Sequence, residues 1–153
     1  MTDLPYSSST SGASALAEIE KILRKFNCTK FAHGTDWETG EVFIQFEHRG
    51  RMVNLKASAK GYAAAWLKAN PWTTRHRNSK AKHESNALNK GSIAVYSILR
   101  DWVKAQTTLI ECNVMSFEAA FLSHIMLPNG RAVFEEIQER GMLALENKQE
   151  QKP

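Results

Sequence analysis

The chain predicts an α+β domain: a three-stranded antiparallel meander with an N-terminal helix and a C-terminal helical half packed on one face. Three observations carry this. Apolar residues recur at spacings of three and four between Leu16 and Phe26 and again from Val95 to Ile110, the period of helices with one buried face. Between these segments, residues 42–58 alternate apolar and polar at period two, as half-buried strands do. Short Gly-containing turns separate the strands, which makes neighbours antiparallel. With 153 residues, a 42% apolar fraction and four Trp, the chain suits one domain with a real core.

The elements follow in order. Residues 1–13 are rich in Ser, Thr and Gly and predict a disordered lead-in. From Ser14 a helix is expected, with Leu16, Ile19, Leu23 and Phe26 on one face and a stop near Asn27 or Cys28. Its acids, Glu18 and Glu20, come early and its cations, Lys21, Arg24 and Lys25, come late, which suits the helix dipole. "KFAHGTDW" and "EVFIQFEH" flank "ETG" as a hairpin, and "RGR" turns the chain into "MVNLKASA" as a second. "YAAAWLKAN" reads as a short helix before Pro71. A basic loop then spans about 70–90, with Pro71, Asn78 and Ser79 as breakers.

The longest helix is expected from about Glu84 or Ser92 to Asn113, with Val95, Leu99, Trp102, Val103, Gln106, Leu109 and Ile110 forming its stripe. Ser116 caps a short helix "FEAAFLSHI", "LPNG" turns, and "RAVFEEIQERGML" is a last helix. The domain is thus expected over 14–145, with a disordered tail over 146–153.

Charge is unevenly placed. Net charge is +4, yet residues 60–90 hold seven Lys/Arg against Glu84 alone, and residues 91–153 hold more acids than bases. A cationic middle segment favours a polyanionic partner. Arg49, Arg51, Lys56 and Lys60, along the second turn and third strand, lead toward the loop cations Arg75, Arg77, Lys80 and Lys82. Together they are expected to form one groove that follows a phosphate backbone, with Trp72 or Trp37 as a stacking surface. Among the strand aromatics, Phe43 and Phe46 have opposite parity, so one of them belongs to the wetter face. The competing reading of the loop is a solvated connector, or one whose cations pair with the acidic last helix at Glu135, Glu136 and Glu139.

Other chemistry finds little support. The five histidines have no HxxxH pair and no cysteine pair beside them, so no metal is expected. Cys28 and Cys112 read as reduced, part-buried thiols. The chain has no nucleophile elbow, phosphate loop or dinucleotide turn, so neither a cofactor nor a catalytic residue is assigned. Asp36, Glu38 and Glu41 crowd one hairpin, and a metal-dependent nuclease is the enzymatic alternative they leave open. No apolar run approaches the roughly 20 residues of a membrane span, and the N-terminus lacks the basic start of a secretory signal.

In its helix-then-hairpins start and its ending "SFEAAFLSHIMLPNGRAVFEEI", the chain resembles the small, mostly uncharacterised proteins of bacteriophages and mobile elements. The order helix, three-stranded meander, basic connector, long helix is also similar to the core of phage single-strand annealing proteins. That resemblance implies a non-enzymatic protein of a phage or prophage, acting in the bacterial host cytoplasm. It also implies a homo-oligomer holding single-stranded DNA in a basic groove and assisting annealing or recombination. The alternative within the same setting is a protein-interaction module that inhibits a host system.

Overall fold

The computed structural model describes residues 4–142, and the expected tail over 146–153 lies outside them. Helix α1 spans Gly12–Lys25. It starts two residues before Ser14 because Ser11 is the cap, its hydroxyl accepting the Ser14 N–H at 3.1 Å. Ala15, Ile19 and Leu23 are its buried stripe. Strands β1 (Lys30–Asp36), β2 (Glu41–His48) and β3 (Arg51–Ser58) pair antiparallel in the order β1-β2-β3. Ile44 stands opposite His33 on one side and Leu55 on the other. Val42, Ile44, Phe46 and His48 are buried while the residues between them are half-buried, so the period-two reading of β2 holds. The β2–β3 turn needs only Arg49 and Gly50, both at positive φ (49° and 76°), the backbone twist a two-residue hairpin requires.

Helix α2 (Ala59–Ala69) follows directly, capped by Ser58, and lies against helix α3 (Lys80–Glu111). The two backbones touch at Gly91, where a Cβ would sit 2.3 Å from the Ala59 carbonyl oxygen. Only glycine fits there. Helix α3 has 32 residues, about 48 Å at 1.5 Å per residue. It begins at Lys80, earlier than expected, because Ser79 caps it and accepts the Lys82 N–H at 3.2 Å. Lys80 and Lys82 are therefore helical, and the basic loop is shortened to 70–79.

After α3, the short helix α4 (Phe117–Phe121), capped by Ser116, continues as a 3₁₀ turn over Leu122–His124. The chain then runs beside β3, with the Met126 N–H donating to the Met52 carbonyl at 2.8 Å, and so covers that sheet edge. Helix α5 (Val133–Arg140) ends at Gly141, which is left-handed with φ 63°. The core lies between one sheet face and the helices α1 and α3, with Phe121 of α4 set edge-on to Phe46 at 5.4 Å.

Residues 4–11, expected to be disordered, form a strap along α3. The Tyr6 hydroxyl donates to Asp101 at 2.6 Å, the Tyr62 hydroxyl to the Pro5 carbonyl at 2.7 Å, and Lys90 Nζ to the Ser7 carbonyl at 3.2 Å. Among the described residues no helix is long and apolar enough to cross a membrane.

Candidate nucleic-acid interface

The basic end is built by the loop's own side chains. Asn70 ends α2, and its carbonyl accepts a hydrogen bond from His83 Nε2 at 2.8 Å, pinning the loop's entry to the first turns of α3. Trp72 Nε1 donates to the Asn78 carbonyl at 2.8 Å and closes the loop across its mouth. Inside, the Thr73 N–H donates to His76 Nδ1 at 3.0 Å. The His76 ring lies 4.9 Å from His83, His83 lies 5.2 Å from Trp66, and Lys90 sits 5.6 Å over Trp66. A column of rings thus braces the loop from beneath.

The cations stand outside this column. Arg75, Arg77, Lys80 and Lys82 are exposed, and among the described residues none of them forms an ion pair. The first turn of α3 contains no acid. A helix N-terminus carries roughly half a positive charge, so Lys80 and Lys82 sit where the dipole disfavours them. Loop cations and helix dipole therefore add at one place, and the field there attracts an anion. The acidic last helix does not answer it: Glu135 pairs with Lys56, Glu136 with Arg131 and Arg140, and Glu139 with Arg131.

The nine residues expected to share one groove fall into separate places. Trp72, half-buried, stays with Arg75, Arg77, Lys80 and Lys82. Arg49 and Arg51 are at the far end of the molecule. They line a cleft of about 460 Å³ with Lys25, Phe26, His48 and Phe117, and the same cleft reaches Ile110 and Glu111 near the C-terminus of α3. Thirty residues of helix separate that point from Lys80, about 45 Å. Arg51 is also neutralised by Glu118 at 2.7 Å, and Lys56 by Glu135 at 3.6 Å. Lys60 lies in the first turn of α2, its side chain packed on Gly40.

The remaining candidates resolve individually. Asp36 Oδ1 accepts the N–H groups of Glu38 at 2.8 Å and Thr39 at 3.1 Å, and these bonds, the Thr39 one foremost, hold its carboxyl below the usual range. Asp36 is thereby a turn-forming residue, and among the described residues no group of three His, Cys, Asp or Glu is placed to hold a metal ion. Phe43 is the aromatic of the wetter sheet face, its ring lying over Gly34, while Phe46 is fully buried. Trp37, at the β1–β2 tip, is 90% exposed. Both thiols are free. Cys28 is half-buried, and burial pushes its thiol up to about 11, whereas Cys112 is exposed where burial was expected.

Two histidines matter in ways the sequence did not announce. His83 anchors the loop and is only 7% exposed. Its spacing of four to Ala87 and eight to Gly91, all buried on α3, is the pattern that could have revealed it. His48, 6% exposed, is stacked on Phe26 at 4.3 Å and lies 4.9 Å from Phe117, joining the ends of α1, β2 and α4. No protein-family model matches the chain, and no curated protein or solved structure matches it either.

Proposed function

We propose that the protein binds nucleic acid, with single-stranded DNA as the favoured form, through loop 70–79 and the first turn of α3. The observation that carries this reading is the set of four exposed cations without an acidic partner among the described residues, gathered at the N-terminus of a 32-residue helix. In this reading Arg75, Arg77, Lys80 and Lys82 contact backbone phosphates and Trp72 offers a surface to an unpaired base. A single strand is favoured because an ionic patch with a neighbouring aromatic ring serves phosphates and base faces, and base faces are covered in a duplex. The setting we propose with it is a phage or prophage protein that assists annealing or recombination in its bacterial host.

Titration of a labelled unstructured oligonucleotide against the protein at several salt concentrations tests this. Four contacts predict a log–log slope of about −2.8, from about 0.7 per neutralised phosphate on a single strand. Affinity that does not change between low and physiological salt refutes the reading. Trp37, exposed on the opposite type of surface, favours a second reading as a protein-interaction module.

A further inference from the structure

We propose that the β1–β2 hairpin tip bearing Trp37 docks on the basic loop end of a second copy of the chain, in a reciprocal two-fold contact. Trp37 is the most exposed large apolar side chain among the described residues, at 90%. A bare indole is the kind of side chain that anchors protein interfaces. The tip that holds it is already fixed. Asp36 accepts two N–H groups, the Gly40 N–H donates to the Asp36 carbonyl at 2.9 Å, and Gly40 takes φ 71°. The Gly40 carbonyl in turn accepts the Lys60 N–H at 3.3 Å, which ties the tip to the start of α2. A knob held this way loses little conformational freedom on docking.

Charge selects the occupant. Asp36, Glu38 and Glu41 surround Trp37; Lys60 lies beneath the tip, and Lys56, which pairs with Glu135, is also near enough to act on Asp36. Carboxylates in that position repel phosphates, so a nucleic acid or an anionic membrane is a poor fit. A cationic protein surface is a good one, and the chain carries such a surface itself. The tip stands at the first turn of α2, and loop 70–79 leaves its last turn. Eleven helical residues put the two about 16 Å apart. Two copies set antiparallel along α2 therefore bring each acidic Trp tip onto the other's Arg75, Arg77 and Lys80, an isologous arrangement that closes on itself.

Sedimentation of the full chain in low-salt buffer over a wide concentration range reads the association. The expected result is a monomer–dimer equilibrium that weakens with salt, and that weakens by at least about thirtyfold in Trp37→Ala, which removes a central interface anchor from both contacts. Two charge-reversed variants sharpen the test: a tip variant, Glu38→Lys with Glu41→Lys, and a loop variant, Arg75→Glu with Arg77→Glu. Each alone is expected to be monomeric, since like charges meet at both contacts. Mixed one to one, they are expected to form a heterodimer in which both contacts are attractive, which also shows that both variants are folded. A wild-type monomer at every concentration overturns the proposal, as does a dimer indifferent to Trp37→Ala or a mixture that stays monomeric. The contact shares its basic half with the proposed strand site, and the tip variant separates the two. Oligonucleotide binding is expected to survive in that variant whether or not the dimer exists.

Discussion

Replacing Arg75, Arg77, Lys80 and Lys82 together with Ser removes the cations that the proposed strand site depends on and leaves the ring column beneath them in place. On the stability side, Arg75 and Arg77 are exposed loop residues without ion pairs among the described residues, so their loss costs less than about 0.5 kcal/mol each. Lys80 and Lys82 occupy the first turn of α3, where removing a cation relieves about 0.3–1 kcal/mol of unfavourable dipole interaction. The lower helix propensity of Ser gives back about half of one kcal/mol per site. The terms nearly cancel, and the melting temperature is expected to move by no more than about 3 °C for a domain of this size. On the binding side, four contacts give a slope of about −2.8, so wild-type affinity falls about fiftyfold between 50 and 200 mM salt. The variant is expected to bind at least about tenfold more weakly at low salt, with a nearly flat salt response. Fluorescence anisotropy with a labelled single strand, paired with a thermal melt, reads both quantities. A stable variant that keeps the wild-type affinity and slope refutes the strand site. A variant that loses stability but binds normally per folded molecule shows that the cations serve the fold.

Three further outcomes are expected. Gly91→Val forces a branched side chain into the backbone of α2, where the first added carbon already lies 2.3 Å from the Ala59 carbonyl, and urea unfolding is expected to show a loss of at least about 1–3 kcal/mol. Burial, with Arg49 nearby, holds His48 below the ordinary histidine pKa, and burial does the same for His124. Each therefore contributes stability that is complete above an unfolded pKa of about 6.5 and is lost as pH falls through it toward the lower folded values; His48→Phe is expected to flatten that acid limb in thermal melts from pH 8 to 5. Iodoacetamide is expected to modify exposed Cys112 well before Cys28, whose half-buried thiol is raised to about 11, as peptide mass mapping after timed quenching reads directly.

The sheet was legible because its signal is local: Val42, Ile44 and Phe46 alternate with half-buried neighbours, and Arg49-Gly50 makes a turn no longer than two residues. The first turns of α3 were not, for a physical reason. Their buried positions are His83, Ala87 and Gly91, chosen to let α2 approach closely, and such small or polar residues leave no apolar stripe. The strap over residues 4–11 was hidden likewise, since hydrogen bonds from Tyr62 and Lys90 to main-chain carbonyls leave no period in the strap's own sequence. At the candidate site, the density of positive charge could be read from residues 60–90, but the pairing of that charge could not. Arg51 with Glu118 and Lys56 with Glu135 are partners from distant segments. The supposed continuity from Arg49 to the loop failed on length. Eight residues of β3 and eleven of α2 carry the chain about 26 Å and then about 16 Å away from the turn.

The claim that strand binding belongs to the N-terminal end of α3 is tested most directly by backbone amide shift mapping. Isotope-labelled protein is titrated with an unstructured single-stranded oligonucleotide at low salt. The amides of residues 70–84 and the indole N–H of Trp72 are expected to move together and saturate with one affinity, while the amides of Arg49, Arg51 and Phe117, about 45 Å away along α3, stay still. Shifts centred on that far cleft or on the wetter face of the sheet around Phe43, with residues 70–84 unmoved, contradict it.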